Sequence, residues 1–256
     1  MNPGIRGIAV NTFRESARNK MFYLLVFFGV LFALSSRLVS FLTLGDAMKV
    51  LKDTGLAAIN FFCVLIAVFT GINLVYKEVE KKTVLAILSK PVRRDEFILG
   101  KFLGLALTML AALGAMAAIF FAFILLNGGG FDGRILLYFA MLFLELLVII
   151  AVSLLFSAFT TPILAFIFTV SLYLIGHLMW TYNEFKALLR APAMKVLSEV
   201  LYYLLPNLDK FNIKNEVVLG SAPGAATILY TVLYGAVYTA ALLALTVLIF
   251  RRREFQ

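Results

Sequence analysis

Long apolar runs alternate with short charged islands along the whole chain. A helix needs about 20 residues to cross a hydrocarbon core about 30 Å thick, and its backbone groups must then bond within the helix itself. Six runs are long enough, so the pattern predicts an all-α bundle of six transmembrane helices in a single domain, residues 1–256. The predicted spans are 21–43, 55–76, 97–126, 135–159, 162–182 and 226–250.

Two segments outside these spans have the spacing of amphipathic helices. Residues 1–20 gather their apolar side chains on one side of a helix, away from the arginines, which predicts an interfacial helix in the headgroup region. Residues 193–205 have apolar positions at i, i+3, i+4, i+7 and i+8, and Pro206 ends the pattern. This outer helix is expected to lie on the membrane surface or to cap the bundle. The apolar side of the first segment consists of Ile5, Ile8, Ala9, Phe13 and Ala17.

Composition excludes several classes of protein. Apolar residues make up 62% and charged residues 14% of the chain, whereas soluble domains have about a quarter charged residues. The mean hydropathy is +0.99. The net charge of +9 does not indicate nucleic-acid binding, because the basic residues cluster at the ends of apolar runs, where lipid headgroups explain them. The single cysteine, Cys63, rules out an intramolecular disulfide and is expected to be a buried apolar side chain.

The distribution of lysine and arginine predicts the orientation in the membrane, because short loops rich in these residues stay cytoplasmic. Fourteen of the 23 lie in the N-terminal tail, around the loop after the second span or at the C-terminus, which share one side of a six-span bundle. The other nine face the opposite side, five of them in the long last loop. Both termini are therefore predicted to be cytoplasmic.

The loop after the second span contains a short amphipathic helix framed by charges. Glu78 and Glu80 open it, and Pro91 ends it because a proline disfavours helical geometry at the residue before it. The helix, at about 78–90, is too short to span a membrane, and an amphipathic helix of this kind commonly docks in an apolar groove of a partner. A loop that only fixes topology is the alternative reading. The apolar edge consists of Val84, Leu85, Ile87 and Leu88.

This loop resembles the cytoplasmic signature of type-2 ATP-binding cassette (ABC) transporter permeases. In that family an acidic stretch, a Gly-Thr pair, an aliphatic helix, a proline-containing turn and a Gly-Lys pair at the start of the third span form the coupling helix, which docks on the ATPase subunit. Lys82 stands where the family usually has glycine. The layout of spans is also similar, as is the Leu-Pro-Asn-Leu run at 205–208. The matching residues are Glu78, Glu80, Thr83, Leu85 to Leu88, Pro91, Arg94, Glu96, Phe97, Gly100 and Lys101.

The resemblance implies a permease subunit without catalytic residues, whose transport activity, most often export, is driven by a separate ABC ATP-binding subunit. ATP would be bound by that partner and no cofactor by this chain, and the sequence has no G-x-x-x-x-G-K-[ST] phosphate loop. A second permease subunit, identical or related, would complete the complex. ATP-driven closure would then switch the pathway between inward and outward access. The expected location is the plasma (inner) membrane of a prokaryote.

Two polar residues within the spans are candidates for the pathway or for an interface. Glu145 lies in the middle of the fourth span, where a carboxylate is costly and polar side chains usually face a bundle interior or a cavity. His177, the only histidine, offers too few ligands for a metal site by itself. Tyr173, four residues earlier, is expected to pair with His177 on one helix face. A purely structural role stays open for Glu145 and His177.

Other function classes compete with the transporter subunit. A secondary transporter or channel would need its own ion-coupling groups, and the spans offer only Glu145 and His177. An intramembrane enzyme would need a metal triad or a Cys–His dyad, which one histidine and one cysteine do not provide. A non-transporting anchor or coupler for the same ATPase would have the same sequence features. No residue indicates the substrate.

Overall fold

The computed structural model describes residues 3–41, 46–80, 93–182, 184, 186 and 191–252. Helices and turns account for these ranges, and no strand occurs within them. Two short 3-10 helices, Met179–Thr181 and Leu208–Phe211, supplement the α-helices. The α-helices are α1 (Pro3–Ala17), α2 (Lys20–Phe41), α3 (Ala47–Glu80), α4 (Arg94–Leu126), α5 (Gly133–Ser157), α6 (Pro162–His177), α7 (Pro192–Leu204), α8 (Lys214–Val218) and α9 (Ala225–Arg252).

Five helices in the described ranges are long and apolar enough to cross a membrane, namely α2, α3, α4, α5 and α9. α6 is shorter, because its 16 residues extend only about 24 Å at 1.5 Å per residue. The predicted span 162–182 was too long, since the chain turns at Leu178 into a 3-10 helix. The all-helical membrane bundle is confirmed, whereas the count of six spans stays a prediction.

α3 is longer than the predicted span 55–76 at both ends. Its first turns include Lys52 and Asp53, which lie before the apolar run. Lys52 Nζ lies 3.3 Å from Asp132 Oδ2, and Asp53 Oδ1 lies 2.9 Å from Lys214 Nζ. The charges in these first turns thus pair with α8 and with the start of α5.

The helix ends meet at two opposite ends of the bundle. The ion pairs of Lys52 and Asp53 join the starts of α3, α5 and α8 at what we call the distal end. At the other end, Arg94 at the start of α4 contacts the last turn of α9, and Lys101 of α4 contacts Glu15 of α1. We call this the terminal end, because both the first and the last helix of the chain meet there.

α3 and α5 form the centre of the bundle. Buried residues make up 61% of the α3 span and 67% of the α5 span, against 22% for α9. α3 and α5 approach closely because Gly71 has no side chain, and a Cβ at this position would overlap Ser153 Oγ. Close approach of this kind is the usual packing device between membrane helices.

α1 packs along the first turns of α4. Its buried side chains are Ala9, Thr12 and Ser16, so the packed face is rotated from the predicted apolar side and shares only Ala9 with it among the fully buried residues. Two glycines make the contact close. A Cβ at Gly100 would lie 2.7 Å from the Cβ of Ile8, and a Cβ at Gly104 would lie 2.5 Å from the Cβ of Thr12.

Lys101 lies in this helix contact, although the charge count grouped it with the preceding loop. Its side chain is 1% exposed, and its Nζ lies 3.9 Å from Glu15 Oε2 of α1 and 5.8 Å from the centre of the Phe97 ring. The sequence did not show this burial because it depends on α1 covering α4.

The outer helix α7 agrees with the predicted 193–205 within one residue. None of its residues is buried, so in the described structure it does not cap the bundle. Tyr202 stacks on Tyr182 with ring centres 4.2 Å apart, and the Tyr238 hydroxyl of α9 donates to the Leu204 carbonyl at 2.8 Å. The surface location remains the prediction for this helix.

Substituting Gly104 by alanine is expected to lower the stability of the purified protein. The new methyl group would lie 2.5 Å from Thr12 Cβ and 2.6 Å from the Ala9 carbonyl oxygen, and overpacking of this kind costs about 1–3 kcal/mol. Gly114→Ala on the same helix is the matched control, because nothing lies within 4 Å of its Cβ. Thermal unfolding in detergent compares the two. Equal Tm values would contradict the packing of α1 on α4.

Candidate functional site

The two polar residues singled out in the spans contact each other. His177 Nε2 lies 2.9 Å from Glu145 Oε1, which joins the last residue of α6 to the middle of α5. The Glu145 side chain is 1% exposed and that of His177 is 20% exposed. Because a buried carboxylate is costly without a partner, the imidazole makes Glu145 tolerable at this position. The sequence predicts both residues as candidates but does not predict their contact.

Polar side chains extend the pair toward α3. The ring of Tyr173 meets the His177 ring edge-on, with centres 4.6 Å apart, as their four-residue spacing predicted. The Tyr173 hydroxyl donates to Asn60 Oδ1 of α3 at 3.4 Å. We call Asn60, Glu145, Tyr173 and His177 the polar cluster. It connects α3, α5 and α6.

Residues 206–211 pack on the end of α6 beside this cluster. A Cβ at Gly176 would lie 2.7 Å from the Pro206 carbonyl oxygen and 2.8 Å from Leu208 Cγ, so glycine is needed for this contact. Leu208 and Phe211 are buried. Asp209, between them, lies close enough for its charge to act on both Glu145 and His177. Burial raises the pKa of Asp209, and the charge of His177 opposes that shift.

The hairpin of α5 and α6 explains why Glu145 and His177 meet. Glu145 lies 12 residues before Ser157 and His177 lies 15 residues after Pro162. At 1.5 Å per residue these positions are about 18 Å and about 23 Å from the two helix ends at the turn. Because a short turn makes the two helices antiparallel neighbours, residues at similar distances from it lie side by side. This signal was present in the sequence and was missed.

The chemistry of the cluster is that of a hydrogen-bonded pair of titratable groups. A neutral imidazole carries one N–H donor and one acceptor, and a protonated imidazole carries two donors. Within the described part of the chain, no three His, Cys, Asp or Glu side chains lie where they could hold a metal ion. The cluster therefore offers a site for proton sharing and hydrogen bonding.

The predicted coupling helix lies mostly outside the described residues. Glu78 and Glu80 belong to the last turn of α3, so residues 78–80 continue that helix instead of opening a separate one. α4 begins at Arg94. Arg93 is the N-cap of α4, and we call residues 81–92, between Glu80 and this N-cap, the coupling segment. The predicted residues that fall outside the described ranges are Thr83, Val84, Leu85, Ile87, Leu88 and Pro91.

Arg94 is a predicted coupling residue whose side-chain contacts lie within the described part of the chain. Its Nη1 donates to the carbonyl oxygens of Phe250 at 3.1 Å and Arg251 at 2.7 Å. From the resemblance, Arg94 is expected among the coupling residues that face the ATPase. These hydrogen bonds connect it to α9, a contact between residues more than 150 positions apart that no local pattern could indicate.

Comparison with protein families decides the class of this protein. Residues 7–255 match the family described as ABC-2 family transporter protein. The chain belongs to the ABC-2 transporter family. The match includes the polar cluster, the coupling segment and Arg94. A comparison with curated proteins found no match.

Family membership confirms the resemblance to type-2 ABC permeases. The ABC-2 protein is a multi-pass membrane protein and the permease component of an ABC transporter. Permeases of this family are membrane transport components that are typically non-catalytic and generally work with an ABC ATP-binding subunit.

Breaking the Glu145–His177 pair is expected to destabilise the ABC-2 protein. His177→Leu leaves a buried carboxylate without its partner, and breaking a buried pair costs about 3–5 kcal/mol. The double variant Glu145→Leu/His177→Leu is expected to be more stable than His177→Leu alone. Thermal unfolding of the wild type, both single variants and the double variant gives a coupling energy, expected at about 1–3 kcal/mol.

The exposed pair Lys186–Glu199, with N and O 3.3 Å apart, is the control for this cycle. Its coupling energy is expected to be below about 1 kcal/mol, because solvent screens exposed pairs. Additive effects of the two substitutions at Glu145 and His177 would show that their contact does not stabilise the protein.

Proposed function

We propose that this chain is the membrane-spanning subunit of an ABC exporter and that a separate ATPase subunit drives it through the coupling segment. The family match over residues 7–255 carries the proposal. ATP is bound and hydrolysed by the partner, and this chain contributes no catalytic residue and holds no cofactor. Two permease subunits, identical or related, enclose the substrate pathway.

The position of the coupling segment supports this proposal. α3 ends at Glu80 and α4 begins at Arg94, so the segment leads into the terminal end of the bundle. It combines aliphatic residues with lysines and a proline. A short amphipathic helix of this composition binds well in an apolar groove, with the flanking charges setting its register.

The charge distribution supports a cytoplasmic terminal end. The side that carries both termini has fourteen of the 23 lysines and arginines, and such an excess marks the cytoplasmic side. In this orientation α1, the start of α4 and the end of α9 all face the ATPase. In this proposal α6 is the sixth span. The membrane is the plasma membrane of a prokaryote.

The polar cluster has a role in the proposed pathway. Residues 206–211 rest on the end of α6, and the Glu145–His177 contact holds that end against α5. We place the polar part of the pathway here, because a change of access requires packed elements to exchange one arrangement for another. The substrate itself is not specified by these residues.

A transporter or channel that works without an ATPase is the main competing class. It would need groups that bind and release a coupling ion within the membrane. The family match favours the ATP-driven class. An anchor or coupler that binds the same ATPase without transporting would share the docking chemistry and differ only in transport.

Leu85→Asp and Leu88→Asp are expected to abolish binding of the ATPase while membrane insertion is retained. A carboxylate on the apolar edge of the coupling segment would have to lose its water in the groove. Burying even an uncharged polar group without a hydrogen-bond partner costs about 2–7 kcal/mol. Co-purification in detergent with a co-expressed ATPase measures binding, and the yield of the permease in the membrane fraction measures insertion.

Leu197→Asp is the matched control. Leu197 lies on the exposed outer helix α7, on the opposite side of the membrane in the proposed orientation, so the ATPase should be retained. Unchanged co-purification in both Leu85→Asp and Leu88→Asp would argue that this segment is not the dock.

A further inference from the structure

Arg94 caps the last turn of α9 from a neighbouring helix. Its Nη1 donates to the carbonyl oxygens of Phe250 and Arg251, at 3.1 and 2.7 Å. Carbonyl groups in the last turn of a helix have no amide donor within that helix, and a cation at this end interacts favourably with the helix dipole. The guanidinium of Arg94 supplies both the donor and the charge.

Two more contacts hold the same helix ends together. Arg251 Nη2 lies 3.5 Å from Asp95 Oδ1, and the buried rings of Phe97 and Phe250 stack with centres 5.7 Å apart. The ion pair places an acid in the first turn of α4 and a base in the last turn of α9, which both helix dipoles favour. We call this set of contacts, together with the Arg94 hydrogen bonds, the α4–α9 clamp.

Near its middle, α9 contacts the chain that packs beside the polar cluster. The backbone N–H of Asn207 donates to the Tyr234 hydroxyl at 2.8 Å, and the Tyr238 hydroxyl donates to the Leu204 carbonyl at 2.8 Å. Lys210 Nζ lies 4.3 Å from the centre of the Tyr234 ring. Residues 204–210 are therefore tied to α9 through two tyrosines, while residues 206–208 rest on Gly176.

α9 is a continuous helix between these two sets of contacts. It is also the least buried of the five candidate spans, with 22% of its span buried, so it has less lateral packing than α3 or α5. A long helix transmits displacement along its axis, and the clamp starts two residues after the coupling segment. The first turn of α4 and residues 204–210 are thus connected through one continuous helix.

We propose that α9 is the lever that carries movement of the coupling segment to residues 204–210 and that Arg94 is the positioning residue that couples α9 to α4. This inference rests on the proposed function and adds the route by which an ATPase at the terminal end changes access at the polar cluster. Arg94 acts through α9 and contacts neither ATP nor substrate in this scheme.

Spin-label distances in the permease–ATPase complex test the lever. Cysteines for the labels replace two exposed residues, Tyr203 at the end of α7 and Leu178 directly after α6. The buried Cys63 is replaced by alanine so that it does not react. The distance between the labels is measured without nucleotide and with ATP and vanadate. We expect a nucleotide-dependent change in the wild-type background and at most half of that change in Arg94→Ala. ATPase co-purification and ATP hydrolysis are measured on the same samples.

Tyr238→Phe is a second variant, which removes the contact with Leu204 and leaves the clamp intact. It should reduce the distance change as Arg94→Ala does. Two matched controls should retain the full distance change. Arg93→Ala removes the same charge one position earlier, at an exposed residue. Tyr230→Phe removes a tyrosine hydroxyl at an exposed position on α9.

The outcomes separate the lever from the proposed function. A full distance change in Arg94→Ala or in Tyr238→Phe would overturn the lever while leaving the ATP-driven permease in place. Loss of the ATPase from Arg94→Ala alone would make Arg94 part of the dock and overturn its positioning role. Absence of any ATPase from the wild-type complex would overturn both the lever and the proposed function.

Discussion

In a bilayer, every backbone N–H and C=O group must find its partner within the protein, and the architecture follows from this requirement. It turns each long apolar run into a helix and leaves the helix ends as the places where polar chemistry collects. The ion pairs Lys52–Asp132 and Asp53–Lys214 join helix ends at the distal end, and Arg94 satisfies the end of α9 at the terminal end. Residues 206–211 also lie between helix ends, those of α7 and α8.

The polar cluster lies where α6 ends. His177, the last residue of α6, is level with Glu145 of α5, and Gly176 leaves room for the Pro206 carbonyl group. The four residues of the cluster all precede α7 in the sequence. Residues 206–211, which follow α7, pack beside it, and α9 contacts this part of the chain through Tyr234 and Tyr238.

The sequence predicted those features that depend on local pattern. The bounds of α4, α5, α7 and α9 agree with the predictions within three residues, because each apolar run ends where the charges or turn residues begin. The predictions failed where a distant element decides the outcome. The first turns of α3 include Asp53, which pairs with Lys214 of α8, and Lys101 is buried because α1 lies over Gly100 and Gly104. The pairing of Glu145 with His177 and the capping by Arg94 are also tertiary. The aliphatic edge of the coupling segment lies outside the described residues, and its role stays a prediction.

We propose that the coupling segment is the cytoplasmic contact through which an ATPase moves this bundle. The decisive measurement is the labelling of Lys82→Cys, in a Cys63→Ala background, with a membrane-impermeant maleimide. The permease alone should be labelled only from the cytoplasmic side, and bound ATPase should strongly protect the same position. Labelling from the external side, or equal labelling with and without bound ATPase, would show that the segment is not this contact.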